Sequence, residues 1–144
     1  MTHQDLKQTY YLRGEIQTYE SKLRELRQMY LSASRMDGMP RGSGRGDKVA
    51  DLAVRIADLE ETITDLRLQL IDAETEIMQY ISTIDDSYIR QIIYCRHIGL
   101  MSWTKTAHKI GGGNTADSCR MAYKRFMNGG KHDRGFDGNH DKNK

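Results

Sequence analysis

The sequence predicts an all-α protein: a long antiparallel coiled-coil hairpin followed by a small C-terminal helix-turn-helix unit. Three observations predict it. Two stretches carry apolar residues at alternating spacings of three and four, a break rich in glycine separates them, and the last third holds short amphipathic runs punctuated by capping residues and glycines. Charged residues make up 29% of the chain and its single proline stands in the break, which leaves the helical runs uninterrupted.

The first helix is expected over residues 1–34. Leu12, Ile16, Tyr19, Leu23, Leu26, Tyr30 and Ala33 form its stripe. Gly14 weakens the helix by about 1 kcal/mol relative to alanine, but near its start. Residues 35–47 hold four glycines and Pro40, which exclude continued helix, so a flexible linker is expected there.

The second helix is expected over 48–84. Val49, Leu52, Ile56, Leu59, Ile63, Leu66, Leu70, Ala73, Ile77, Tyr80 and Ile84 keep the heptad without a slip. A stripe this regular faces one side only if the helix winds around another, over roughly 50 Å at 1.5 Å per residue. The similar lengths of the two helices make an antiparallel hairpin the simplest pairing.

Helix two also has a weaker apolar seam nearly opposite its stripe. Ala50, Val54, Ala57, Thr64, Leu68, Ile71 and Met78 form it, interrupted by Glu61 and Thr75. A helix apolar on two sides is expected to be buried on two sides. Helix one covers one side. A second copy of the chain, in a dimer, is the expected cover for the other, with a folded-back C-terminal domain as the alternative.

Residues 85–127 read as three short helices. Asp85, Asp86 and Ser87 offer capping side chains before a run whose apolar face is Ile89, Ile92 and Ile93, with Ile98 beside it. Gly99 is expected to end that helix as a left-handed cap. Ser102 caps the next, which turns Trp103, Ala107 and Ile110 inward. Gly111-Gly112-Gly113-Asn114 makes the turn, and Asn114 or Thr115 caps the last helix, where Cys119, Ala122 and Phe126 face the core. Asp117, Arg120, Met121 and Lys124 are left on its outer face, with Ser118 and Arg125 at the margins.

Charge is distributed unevenly although the chain as a whole carries only +2. Lys48 to Asp86 holds 3 basic and 10 acidic residues, whereas Ser102 to Met127 holds 5 basic and 1 acidic, net +4. Positive charge gathered on two helices joined by a tight turn suits double-stranded DNA, because phosphate attraction is local. The expected DNA-contacting residues are Asn114, Thr115, Asp117, Ser118, Arg120, Met121, Lys124 and Arg125, with Lys105 on the preceding helix. Arginine can grip guanine with two hydrogen bonds, while lysine mostly neutralises phosphate.

The run Ile93-Tyr94-Cys95-Arg96-His97-Ile98-Gly99-Leu100-Met101-Ser102-Trp103, with Ala107-His108-Lys109-Ile110 and the following Gly111 to Arg120, resembles phage-encoded sigma-factor region-four-like helix-turn-helix proteins of the late-transcription-regulator type. Only the last third carries the specific motif. The coiled coil before it extends the likeness loosely over most of the chain. The resemblance implies that the helix from Thr115 to Met127 reads DNA, and it suggests RNA polymerase as a further partner. The turn at 111–114 is longer than is usual in such units.

Other motifs carry less. Gly42-Ser43-Gly44-Arg45-Gly46-Asp47-Lys48 has neither the Gly-Lys-Ser/Thr ending nor the preceding strand of a phosphate-binding loop. Cys95, His97, His108 and Cys119 fit no zinc spacing, and the two cysteines read as reduced core residues. No nucleophile stands beside a base and no carboxylate pair suggests catalysis, so neither enzyme nor cofactor is expected. No apolar run reaches the length of a membrane span and no leader is visible, so the expected compartment is the cytoplasm of a bacterial host. Residues 128–144 lack apolar periodicity and are expected to be a disordered tail. The function that follows is a sequence-specific transcription regulator of phage or prophage origin. A phage terminase small subunit, which usually places its DNA-binding part first, and a non-enzymatic coiled-coil adaptor are the alternatives.

Overall fold

The computed structural model describes residues 1–35 and 45–129, and the expectations for 36–44 and 130–144 fall outside them. The described residues are helical throughout their regular elements: α1 (His3–Ser34), α2 (Arg45–Ser82), α3 (Ser87–Ile93), α4 (Trp103–Ile110) and α5 (Ala116–Met127). Helix α3 runs on into a π-helical turn, Tyr94–Ile98. The chain divides into two compact units, one built on His3–Gln79 and the other beginning at Tyr80. No helix among the described residues is long and apolar enough to cross a membrane.

In the first unit α1 and α2 pack along their apolar stripes. Ile16, Leu23, Ile63 and Leu66 are buried together, with Leu12, Tyr19, Ile56, Leu59 and Leu70 packed around them. Three ion pairs bridge the same side of the two helices: Arg13 with Glu74 at 2.6 Å, Glu20 with Arg67, and Arg27 with Glu60 at 2.7 Å. Each step of seven residues forward along α1 is a step of seven backward along α2, so the helices are antiparallel. The pairs are partly to well exposed, so each contributes only about 0.2–1 kcal/mol. Their sign alternates, however, and that fixes which heptad faces which.

Helix α2 begins at Arg45, three residues before the start expected from the sequence, and incorporates Gly46. A Cβ at Gly46 would meet nothing within 4 Å. Glycine in open helix costs about 1 kcal/mol and does not forbid the helix. The seam on the far side of α2 stays open: Val54 is 59% exposed, Leu68 56% and Ile71 57%.

The second unit has its own core. Ile89, Ile92, Ile93 and Cys119 are wholly buried, joined by Tyr88, Cys95, Ala107, Ala122 and Tyr123. The Asp86 carboxylate caps α3 by accepting from the backbone N–H groups of Tyr88 (2.8 Å) and Ile89 (3.4 Å). Arg90 donates back to the carbonyls of Ile84 (2.6 Å) and Asp85 (2.8 Å), which ties down the segment that enters the helix.

The exit from α3 differs from the expectation of a left-handed Gly99. Gly99 has φ −74°, and the positive φ falls on Leu100 at 49°. The cause is the π turn. The Gly99 N–H reaches back to the Tyr94 carbonyl and the Met101 N–H to that of Cys95, both at 2.9 Å, so the chain turns one residue later than a simple glycine cap would allow. Glycine is needed at 99 for space instead, since a Cβ there would stand 3.0 Å from the Cys95 carbonyl oxygen.

Candidate nucleic-acid interface

Helices α4 and α5 owe their relative placement to the turn between them and to the aromatic cluster beneath them. Helix α4 starts where the Ser102 hydroxyl accepts from the Lys105 backbone N–H at 3.2 Å. It stops at Gly111, and Gly111, Gly112 and Gly113 all take positive φ, at 69°, 66° and 77°. Three successive left-handed residues are cheap only for glycine. Asn114 closes the turn by donating its side-chain amide to the Gly111 carbonyl at 2.7 Å.

Of the two cap candidates, Thr115 is the one used. Its hydroxyl accepts from the Ser118 N–H at 3.1 Å, and its own N–H donates to the Ser118 hydroxyl at 2.9 Å, a reciprocal capping box. The Ser118 hydroxyl also donates to the Thr115 carbonyl at 2.9 Å. Three of the residues expected to touch DNA, Asn114, Thr115 and Ser118, therefore spend their side chains on shaping the start of α5.

The remaining residues form two rows. Asp117, Arg120 and Lys124 are exposed along one line of α5, and the Asp117 carboxylate accepts a hydrogen bond from the Arg120 guanidinium one turn on. Ser118, Met121 and Arg125 lie along a second line. They edge a groove of about 690 Å³ whose other walls include Tyr88 and Gln91 of α3 and Gly111, Gly112 and Asn114 of the turn. Met121 is 52% exposed there. Lys105 is exposed on the first turn of α4.

Beneath this surface the central residue is Tyr123 and not the expected Phe126. Phe126, expected in the core, is only half-buried, and Tyr123 is buried in the position that matters. Its phenol oxygen lies 2.9 Å from His97 Nε2, and its ring meets Trp103 edge-on at 5.5 Å between centroids. Burial raises the Tyr123 phenol to about 12, with Tyr80 adding to the effect and Arg96 opposing it. The Arg96 guanidinium stacks over Trp103 at 4.4 Å and donates to the Met101 carbonyl. Burial pulls Arg96 below its ordinary value, with Tyr123 opposing. An arginine stacked on Trp103 and bonded to the Met101 carbonyl braces the α4 entrance. Tyr123 does continue the stripe of Cys119 and Ala122, so helical spacing was a signal for it.

The thiols have no exposed chemistry. Cys95 and Cys119 are buried and unpaired with each other, and burial pushes the Cys95 thiol up, with Lys109 opposing and Cys119 adding. Among the described residues no three histidine, cysteine or acidic side chains gather in a metal-binding arrangement. Compared with protein-family models, with curated proteins and with solved structures, the chain matches none.

Proposed function

We propose that this chain is a sequence-specific DNA-binding regulator of phage or prophage origin, with α5 as the helix that reads the duplex. One observation carries the reading: α5 is capped at a tight turn, clamped from below by Tyr123, and presents Arg120, Lys124 and Arg125 to solvent. A helix of 12 residues fits a major groove about 12 Å wide, and its N-terminal half lies nearest the base edges. Arg120 and the exposed Met121 are the proposed base contacts, Met121 through the thymine methyl. Lys124, Arg125 and Lys105 are proposed to neutralise phosphates, and the caps at Asn114, Thr115 and Ser118 act by aiming the helix.

The sigma-like resemblance adds RNA polymerase as a proposed second partner. The uncovered apolar seam of α2 supports an oligomeric regulator.

The test is fluorescence anisotropy on cognate and random duplexes across a salt series. Arg120→Ala is expected to cost about 1–3 kcal/mol and to relax sequence preference. Lys124→Ala and Arg125→Ala are expected to weaken binding to all sequences alike and to lower the salt dependence by about one unit each. Absence of salt-dependent binding to any duplex, including the phage's own regulatory DNA, would overturn the reading.

A further inference from the structure

The two outer edges of the hairpin are unlike one another, and they complement each other. The edge of α2 that faces away from α1 holds Val54, Leu68, Ile71 and Met78, all exposed, with Glu61 at its middle. Beside it Asp51, Asp58, Asp65 and Asp72 recur at every seventh residue. The corresponding edge of α1 carries Lys7, Arg24 and Arg35 with no acidic residue among them. Between these cations it is small or neutral at Gly14, Gln17 and Ser21, and it ends in exposed Tyr10 and Leu31.

Charge argues against pairing the α2 edge with another α2. A parallel pair sets Glu61 against Glu61, and an antiparallel pair sets one aspartate row against the other. The α1 edge of a second copy sets no acidic residue against Glu61, and of the row that meets the aspartates only Glu25 is acidic, itself paired to Lys22. The three ion pairs of the hairpin define which residues stand level. Counting inward from Arg27–Glu60, Arg24 stands level with Ile63, and Arg24 and Thr64 edge one groove of about 660 Å³. If the next copy lies at the same height, its Arg24 falls between Glu61 and Thr64, within reach of the Glu61 carboxylate. By the same count its Gly14 falls between Ile71 and Thr75 and its Gln17 between Leu68 and Ile71, so bulk faces space. Tyr10 then falls between Thr75 and Met78, and Leu31 between Val54 and Ala57.

We infer that copies of this chain associate head to tail, the α1 edge of one hairpin seated in the α2 seam of the next, with Arg24 paired to Glu61 across the contact. This rests on the oligomeric reading above and makes it specific. Neighbouring helices then alternate in direction along the whole assembly. Because the two contacting surfaces differ, each copy keeps one edge free, and growth passes two copies until a ring closes or a row extends.

The experiment is sedimentation of the full chain across a wide micromolar range, with helicity followed by circular dichroism. The unmodified chain is expected to exceed a dimer. Arg24→Glu and Glu61→Arg should each weaken association about tenfold or more, and the double variant should restore it. Gly14→Trp should lower the mass with helicity retained, since a Cβ at Gly14 meets nothing within 4 Å in the chain itself. A monomer would overturn this contact and the oligomeric reading together. A dimer that does not grow with concentration, or an assembly indifferent to these variants or unrescued by the swap, would overturn the head-to-tail contact and leave oligomerisation standing.

Discussion

The phenol of Tyr123 and Nε2 of His97 lie 2.9 Å apart, both about 5% exposed. The contact joins the last helix of the C-terminal unit to the π turn that follows α3, residues 26 positions apart in the chain.

Tyr123→Phe keeps the ring stacked on Trp103 and removes the hydroxyl. It is expected to destabilise the unit by about 1 kcal/mol at neutral pH. Urea unfolding followed by Trp103 fluorescence measures this.

The raised Tyr123 phenol makes the same unit alkali-sensitive. Burial moves its pKa from the ordinary 10.0 up to about 12, which favours the neutral form in the folded chain. The associated stability is intact below pH 10 and is lost as pH climbs through about 12. Unfolding curves at rising pH should show a loss in this window that Tyr123→Phe reduces, leaving the part due to the buried Cys95 thiol. An unchanged alkaline loss in the variant would assign it to another group.

Thr106 is wholly buried, and its hydroxyl has no hydrogen-bond partner among the described residues. Valine has the same shape without the polar atom. Thr106→Val is therefore expected to leave stability unchanged or raise it by about 1 kcal/mol. A loss above that size in the thermal midpoint would mean that the hydroxyl is satisfied.

At the turn, Gly112→Ala is expected to cost about 1–2 kcal/mol. Its φ is +66°, although the nearest atom to an added Cβ is 3.8 Å away. The penalty is conformational, so Gly112→Asn, which tolerates the left-handed region better, should recover part of it in the same unfolding assay.

Asp117→Asn separates helix stability from DNA contact. It removes the carboxylate that holds Arg120, the one acidic side chain on α5. On the proposed function, affinity for duplex should rise while the helix start loses about 0.3–1 kcal/mol of dipole stabilisation. Weaker binding in anisotropy would assign Asp117 to direct readout.

The hairpin was legible because its signal is periodic and long. Every residue of the stripe from Val49 to Ile84 is buried or half-buried, although α2 ends at Ser82, two residues short of the expected end, and heptad spacing forces that burial. The caps at Asp86, Ser102 and Thr115 were legible too, since they depend on local side-chain reach. The π turn was not, because it inserts one residue without any marker in composition, and it moved the left-handed position from Gly99 to Leu100. Tyr123 was passed over for Phe126 although both follow Cys119 at helical spacings. The choice between them depends on His97 and Trp103, which sequence spacing does not bring near.

The alternating ladder of Arg13–Glu74, Glu20–Arg67 and Arg27–Glu60 has a mechanical consequence. Sliding α1 by one heptad in one direction sets Arg13 against Arg67 and Glu20 against Glu60. The opposite slide sets Glu20 against Glu74 and Arg27 against Arg67. Either displacement replaces three attractions with two repulsions, on the order of 1–3 kcal/mol beyond the cost of unseating the apolar stripe. The hairpin is thus a strut and not a piston. Strain imposed at one end therefore meets more resistance to a shift of one helix past the other than the apolar stripe alone would give.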